Sequence, residues 1–300
     1  LAKEKGYVYA QDEQSVIVKG PLHAGEYRVA GDISSQFISG LLFALTLRGE
    51  EATLTVEGKV ESAPYIDMTA DALASFSARP EIIGNVYKIK QGAHLISPEN
   101  ISVEGDWSGA AFPLSAGAIS PSASGVTVSG LNMRSRQGDR AIIELLERFG
   151  AEVSVAESGD VTVKRRVLRG IEIDATNIPD LVPILAIVAS VAEGETKIYG
   201  AARLRIKESD RLRTVTELLT ALGADVTELD DGLMIKGKPQ LDGGNVTSAN
   251  DHRIAMSAAI ASIVCRGDVT IEGAEATNKS YPSFWDEYCR LGGHYEQYLR

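Results

Sequence analysis

Five cations stand close together at residues 203–213: Arg203, Arg205, Lys207, Arg211 and Arg213, against the two acids Glu208 and Asp210. The chain as a whole carries a formal charge of −11, so this segment runs against its background. Cations gathered at turns and helix starts suit a small anionic ligand, because phosphate and carboxylate need local positive charge and N–H donors. The arginine fork grips such groups bidentately, and lysine supplies a point charge. The competing reading is a solvated face with pairs inside one helix, and composition alone does not choose between them. Arg253 sharpens the question. It lies one step inside a helix start, where a cation opposes the helix dipole and needs a compensating anion.

Other polar residues are ambiguous in the same way. Ser34-Ser35-Gln36 offers three consecutive hydrogen-bonding side chains before a wholly apolar run, more than a cap requires, and fits a phosphate. Asp180 follows Pro179 and reads first as an acid complementing a helix dipole, and second as a base. Glu208, beside several cations, reads as an ionised structural acid. His252 reads as structural, while Lys279, before a proline-marked helix start, adds to the cations that suit an anion and is equally open to a plain-surface reading. Trp107 and Trp285 read as packing residues.

What is missing narrows the chemistry. The sequence holds no phosphate-binding Gly-rich loop, no G-x-G-x-x-G after a strand, no H-E-x-x-H and no Cys/His metal cluster, so no cofactor or metal is expected. Cys265 and Cys289 lack metal spacing and suggest reduced thiols of a cytoplasmic protein. The acidic charge argues against a nucleic-acid partner. No apolar run reaches the roughly 18 residues of a membrane span. An apolar content of 44% and a charged content of 24% are those of a globular chain.

The elements that must position these residues repeat. Four β-rich runs each end in a glycine, at Gly58, Gly130, Gly200 and Gly273, about 70 residues apart, which marks a duplicated supersecondary unit. Some 20 residues before each glycine lies a polar cluster: Asp32-Ile33-Ser34-Ser35-Gln36, Asp106-Trp107-Ser108-Gly109, Asn177-Ile178-Pro179-Asp180 and Asn250-Asp251-His252-Arg253. The runs after them (37–47, 110–119, 181–192 and 254–264) are apolar almost all round and predict buried helices with N-cap residues in front. A second, amphipathic helix is expected beyond each glycine, at 138–149 and 209–222 in the middle copies, opened by a cap and closed by a glycine. Strands are expected at 152–155, 161–164, 225–229 and 233–236. The unit is thus β-α-β-α-β-β and the fold class α/β. Residues 1–20 match the end of such a unit (a helix tail, a stop at Gly6 and two strands at 7–10 and 15–19), so an N-terminal portion is expected to precede Leu1.

Taken together, the cluster at 31–37, Lys207-Glu208-Ser209-Asp210-Arg211, Asn250-Asp251-His252-Arg253 and Asn278-Lys279-Ser280-Tyr281-Pro282 resemble the 5-enolpyruvylshikimate-3-phosphate synthase family, in its order and spacing. The resemblance implies two globular domains of three β-α-β-α-β-β units each, with the active site in the cleft between them. Here it implies an incomplete first domain at 1–102 and a second at 103–300. It also implies transfer of the enolpyruvyl group of phosphoenolpyruvate to the 5-hydroxyl of shikimate-3-phosphate, with release of phosphate through a tetrahedral intermediate. Carried over position by position, Ser34, Ser35, Gln36, Ser62, Tyr65, Asp180 and Lys207 would hold shikimate-3-phosphate. Gln36, Arg211, Arg253 and Lys279 would hold phosphoenolpyruvate. Asp180 would take the hydroxyl proton, and Glu208 would exchange one with the methylene carbon. The resemblance further implies a cytoplasmic enzyme, monomeric when complete, and a glyphosate target.

Two departures stand out. Many relatives place a basic residue where Ala63 stands in Ser62-Ala63-Pro64-Tyr65, and some place Asn where Arg203 stands. Two competing expectations are a non-catalytic fragment that binds substrate weakly or not at all, and the related UDP-N-acetylglucosamine enolpyruvyl transferase. The Ser-Ser-Gln and Lys-Glu-Ser-Asp-Arg motifs argue against the second.

Overall fold

The structure is a computed structural model and describes residues 5–32, 34–60 and 63–298. It divides into two compact units, Leu1–Val103 with Arg136–Gly138, and Glu104–Ser135 with Asp139–Arg300.

The first unit opens with an antiparallel pair, β1 (Val8–Gln11) and β2 (Val16–Lys19). One β-α-β-α-β-β copy follows: β3 (Gly25–Ala30), α1 (Ser35–Arg48), β4 (Ala52–Glu57), α2 (Ala63–Ser75), β5 (Glu81–Ile83) and β6 (Val86–Ile89). Its sheet has the order β3-β4-β6-β5, parallel between β3 and β4 and antiparallel beyond. Helix α1 crosses over between the parallel strands, and Ile38, Leu42 and Leu45 on it are buried with Leu54, Val56 and Ile66 in a small core.

The second unit contains the remaining copies. The first of these has α3 (Trp107–Ile119), β7 (Val126–Val128), α4 (Ile142–Phe149), β8 (Glu152–Val155) and β9 (Val161–Lys164). Next come β10 (Glu172–Asp174), α5 (Val182–Ala189), β11 (Glu195–Tyr199), α6 (Arg211–Ala221), β12 (Asp225–Leu229) and β13 (Gly232–Lys236). The last has β14 (Gly244–Thr247), α7 (His252–Ala261), β15 (Val269–Glu272) and α8 (Phe284–Arg290). The strand order β10-β11-β13-β12 repeats that of the first unit. Helices α3, α5 and α7 pack against one another at the centre. Every residue of α5 is buried. This explains why the three runs carry almost no polar face, since each helix is surrounded by apolar neighbours.

The expected unit is complete twice. The copy beginning near residue 103 has no assigned first strand, and the copy beginning at Gly244 has no closing strand pair among the described residues. A further correction concerns Gly138-Asp139. Asp139 does not cap α4: it lies buried in a 3-10 turn, Gly138–Ala141, and no side chain caps that helix. Likewise Asn177 caps nothing, the start at Pro179 having no side-chain cap.

The recurrent glycines have a common geometry. Gly58, Gly130, Gly200 and Gly273 have φ of 75°, 80°, 70° and 73°, a left-handed turn that side chains disfavour. Beside each, one backbone bond closes the parallel pair: Gly31 N–H to Glu57 (2.9 Å), Gly105 to Gly130 (3.2 Å), Ala175 to Tyr199 (2.8 Å) and Ser248 to Glu272 (2.8 Å). Where a first strand is assigned, the polar cluster therefore leaves its sheet at the same place, the carboxyl end of that strand, immediately before a helix. Helix α1, expected to be buried, is so on one face only, packing on its sheet and α2 while Phe37, Phe43 and Leu47 are exposed.

Candidate active site

In the second unit that placement brings three helix starts together. Asp106 caps α3, accepting the N–H groups of Ser108 (3.1 Å) and Gly109 (2.8 Å). Asp251 caps α7, accepting that of Arg253 at 2.9 Å. Between them a 3-10 turn, Pro179–Leu181, leads into α5 and carries Asp180. Helix N-termini present uncompensated N–H groups and positive dipole ends, so their convergence favours negative charge.

The centre of the cluster is Arg211, whose side chain is 1% exposed. Its Nε donates to Asp251 Oδ2 at 2.8 Å and its Nη2 to Asp251 Oδ1 at 3.3 Å. Nη1 donates to Asp180 Oδ1 at 2.7 Å, and Nη2 also to Glu208 Oε2 at 2.7 Å. A guanidinium has five N–H groups, so these four bonds leave at most one for a ligand. Arg253 donates from Nη2 to Asp180 Oδ2 at 3.1 Å and from Nη1 to the Asp180 carbonyl at 3.4 Å. Lys207 Nζ stands 3.8 Å from Asp180 Oδ1. The anion demanded by Arg253 at its helix start is thus a carboxylate of the protein itself. Its Nε, also buried, has no hydrogen-bond partner among the described residues.

Burial alone would raise the Asp180 carboxyl, but Arg253, Lys207 and Arg211 outweigh it and hold it well below the usual carboxylate range. Asp251, with no exposed side-chain surface, is lowered in the same way: Arg211 overcomes its desolvation through hydrogen bonds and charge. Arg211 is raised, its carboxylate partners prevailing over burial. His252 is lowered, first by burial and then by Arg253, and so stays neutral near pH 7. Asp180 is therefore an ionised group, 15% exposed, whose proton affinity depends on how many cations remain turned toward it.

The run of cations at 203–213 divides by role. Arg205 is structural: it donates to Glu228 Oε1 (2.6 Å), the Leu229 carbonyl (2.8 Å) and Asp210 Oδ2 (3.3 Å), tying the loop before α6 to the β12–β13 turn. Arg213 pairs with Glu217 on the exposed face of α6. Lys207 and Arg211 face Asp180. Lys279 lies on a 3-10 helix, Ala274–Lys279, and is exposed, with Nζ bonding the Asn250 carbonyl (2.5 Å) and Oδ1 (2.8 Å). It is thereby tied to the loop that also carries Asp251. Glu208 is half exposed and bonds Arg211. Asn250 has a φ of 57° and Ala249 one of 49°, so the loop is bent into a left-handed turn just ahead of the cap.

In the first unit Ser34 caps α1, its Oγ accepting the Gln36 N–H at 3.2 Å. Ser35 is buried and Gln36 exposed. Gln36 lines a shallow groove with Arg28, Phe37 and Leu41. Tyr65 stands in the first turn of α2, which is bonded to α1 through Ser39 and Thr69 at 2.7 Å. Ser62 lies outside the described residues.

The comparisons with known proteins agree on one family. The chain matches the family model of EPSP synthase (3-phosphoshikimate 1-carboxyvinyltransferase) over residues 4–288. Among curated proteins it is 44% identical over 295 residues to the 3-phosphoshikimate 1-carboxyvinyltransferase of Clostridium acetobutylicum, covering 97% of this chain and 67% of the relative. The chain belongs to the EPSP synthase family. The enzyme of the same name from Clostridium perfringens is 43% identical, with 97% of this chain and 68% of the relative covered. Among solved structures, EPSP synthase from Acinetobacter baumannii superposes with a TM-score of 0.78 at 28% identity, over 96% of this chain and 68% of that one. The enolpyruvyl transferase NikO from Streptomyces tendae shares the fold, with a TM-score of 0.74 at 20% identity, over 97% of this chain and 70% of that one. The chain spans about two thirds of the length of these relatives.

Within the second unit of this EPSP synthase family member, Asp180, Lys207, Glu208, Arg211 and Arg253 form one cluster of hydrogen bonds and ion pairs, and Lys279 is bonded to Asn250 of the adjoining loop. Sequence reasoning missed Asp251, Ser209 and Asp139. Ser209 Oγ donates to Asp251 Oδ2 at 3.0 Å, and the buried Asp139 accepts a hydrogen bond from Ser108. Asp251 and Ser108 both sit in polar clusters at equivalent places of the repeat, which was the available signal. Asp139, inside what reads as a helix cap, offered none. Among the described residues no group of His, Cys, Asp and Glu is arranged to hold a metal ion. No helix there is long and apolar enough to cross a membrane.

Proposed function

We propose that the chain performs the reaction of its family, moving the enolpyruvyl group of phosphoenolpyruvate onto the 5-hydroxyl of shikimate-3-phosphate with release of phosphate. The observation that carries this reading is the gathering of Arg211, Arg253 and Lys207 on Asp180 where three buried helices begin. Both substrates are polyanions, and a site that concentrates cations and helix N-termini in a chain of net charge −11 suits them.

Arg253, Lys207 and Lys279 would make the direct contacts with the phosphate and carboxylate of phosphoenolpyruvate and with shikimate-3-phosphate. Arg211, buried and almost fully engaged, would bind with its remaining donor and mainly hold Asp180, Asp251 and Glu208 in place. Ser34, Ser35, Gln36, Ser62 and Tyr65 would hold shikimate-3-phosphate. Asp180 would accept the 5-hydroxyl proton. In the described state it is a weak base, because three cations stabilise its charge. As substrate anions draw Arg253 and Lys207 toward themselves, that stabilisation falls and the basicity of Asp180 rises, which times proton abstraction to occupancy of the site. Glu208, partly exposed beside Arg211, would exchange the proton at the methylene carbon. The reading includes a cytoplasmic, monomeric protein, with the domain division at 102–103.

The test is phosphate release on mixing this chain with both substrates, with either substrate alone as control. Turnover that needs both supports the proposal, and none from the folded chain refutes it for these 300 residues. If Asp180 is the base, Asp180→Ala lowers kcat by about 10²–10⁴-fold; an unchanged kcat removes it from the mechanism.

A further inference from the structure

The segment that carries Lys207 and Glu208 is held without a hydrophobic anchor. Leu204 is fully buried, but no residue from 205 to 210 is, and Ile206 is 73% exposed. A stretch with few buried apolar contacts is ordinarily mobile, so polar bonds must fix this one. They converge on Arg205. Its Nε donates to the Asp230 carbonyl at 3.1 Å and its Nη2 to the Leu229 carbonyl at 2.8 Å. Nη1 donates to Glu228 Oε1 at 2.6 Å and to Asp210 Oδ2 at 3.3 Å. The other end of the loop meets the same β12–β13 turn: Gly200 N–H donates to Asp231 Oδ2 at 3.3 Å, and Ala201 N–H to the Asp231 carbonyl at 2.8 Å. That turn is a firm support. It closes the antiparallel pairing of β12 with β13, and it lies so close to β11 that a Cβ at Gly232 would collide with the Ile198 carbonyl. Beyond Arg205, Asp210 caps α6 through the Arg213 N–H, and Ser209 is tied to Asp251. Lys207 and Glu208 stand between these fixed points.

We propose that Arg205 is a positioning residue for the anion site: it clamps the 200–210 loop to the β12–β13 turn, so that Lys207 and Glu208 already face Asp180 and Arg211 before a ligand arrives. This inference rests on the anion-binding reading given above and names the residue that orders its cation loop. Lys207 Nζ stands 3.8 Å from Asp180 Oδ1, and Glu208 Oε2 lies 2.7 Å from Arg211 Nη2. Long side chains keep such geometry only while their backbone is fixed. If the clamp opens, binding must order the loop again, and the apparent affinity falls with the fraction of molecules in which it is ordered. The loss is about 10-fold for each residue set free. Charge alone gives the opposite sign at Glu228. Removing an acid from the surroundings of an anion site should tighten the anion, whereas removing one arm of the clamp should loosen it.

The test is isothermal titration of the whole chain with phosphoenolpyruvate, paired with amide hydrogen exchange across 200–210 in the ligand-free proteins. Arg205→Ala is expected to weaken binding by roughly 10–100-fold and to speed exchange at 206–209. Arg205→Lys keeps the charge but loses the fork that reaches several acceptors at once, so it should recover little; full recovery would overturn the inference. Glu228→Ala should weaken binding too, and tighter binding would show that only charge matters there. Lys207→Ala supplies a readout that a merely structural role would not move. In that background Arg205→Ala should cost much less, because a group it positions is gone; an equal loss in both backgrounds overturns the inference. Should Arg205→Ala not fold, the sign of the change in Glu228→Ala decides. Unchanged affinity and exchange in Arg205→Ala would refute the positioning role and leave the anion site standing. Failure of the wild type to bind phosphoenolpyruvate, with exchange still responding to Arg205→Ala, would instead refute the anion site, and the positioning role with it.

Discussion

Replacing Arg211 by alanine would damage the second unit through charge before it touched catalysis. The side chain is almost wholly buried and bonds Asp251, Asp180 and Glu208, and two of those partners are themselves buried or nearly so. Removing the guanidinium leaves the Asp251 charge without its main compensation, and Asp251 must still cap α7. Breaking a buried pair from one side costs about 3–5 kcal/mol, which would lower the urea midpoint by roughly 1–2 M for a domain of this size. Both tryptophans, Trp107 and Trp285, belong to this unit, so fluorescence during a urea melt reports on it alone. The pH dependence separates this account from simple loss of packing. In the wild type, Asp180 and Asp251 have depressed folded-state values, so their stabilisation is present above the unfolded value of 3.8 and is lost as pH falls through the folded ones. In Arg211→Ala, burial remains while the main counter-charge of Asp251 is gone, so its value climbs and the variant gains stability as pH falls toward 4; Asp180, still held by Arg253 and Lys207, moves less. The gap between the two proteins should therefore be widest near pH 7 and shrink in acid. Arg211→Lys, a single point charge, should fall between them. A loss below about 1 kcal/mol, well short of that expected for a broken buried pair, or a gap constant from pH 4 to 7.5, would refute the reasoning.

Other expectations are simpler. Ser34 serves as helix cap and as proposed phosphate ligand, and two substitutions separate these: Ser34→Ala should cost about 1 kcal/mol of stability, and Ser34→Gly only a few tenths. Both should weaken shikimate-3-phosphate binding equally if the hydroxyl touches the phosphate, as isothermal titration would show; unchanged affinity assigns Ser34 to capping alone. Gly117 lies inside α3, where alanine would ordinarily help, yet a Cβ there would stand 2.5 Å from the Val163 carbonyl oxygen of β9. Gly117→Ala should therefore destabilise by about 1–3 kcal/mol, and a stabilised variant in thermal melts would show that α3 can shift away from its sheet.

The repeat was visible in the chain because its signals are local. A glycine needed for φ near 75°, a polar cap and an apolar run of helical length recur at a fixed interval, and each depends on neighbours within a few residues. The motifs around Lys207, Arg253 and Lys279 could likewise be read as an anion site, with the solvated-face alternative still standing. That alternative proved right for Arg213, which pairs with Glu217 within α6, whereas Arg205 is tied to Glu228 across the fold, and the sequence does not distinguish either from Lys207 and Arg211. What decides is which side chains meet across the copies. Arg211 finds Asp251 40 positions away, and Arg253 finds Asp180 73 positions away. These distances are set by how α3, α5 and α7 pack, which no local propensity encodes. The same holds for Asp139, a polar residue before a helix that would cap it if exposed. It is buried and bonded to Ser108 of α3, and burial raises its proton affinity, which the sequence around it does not announce.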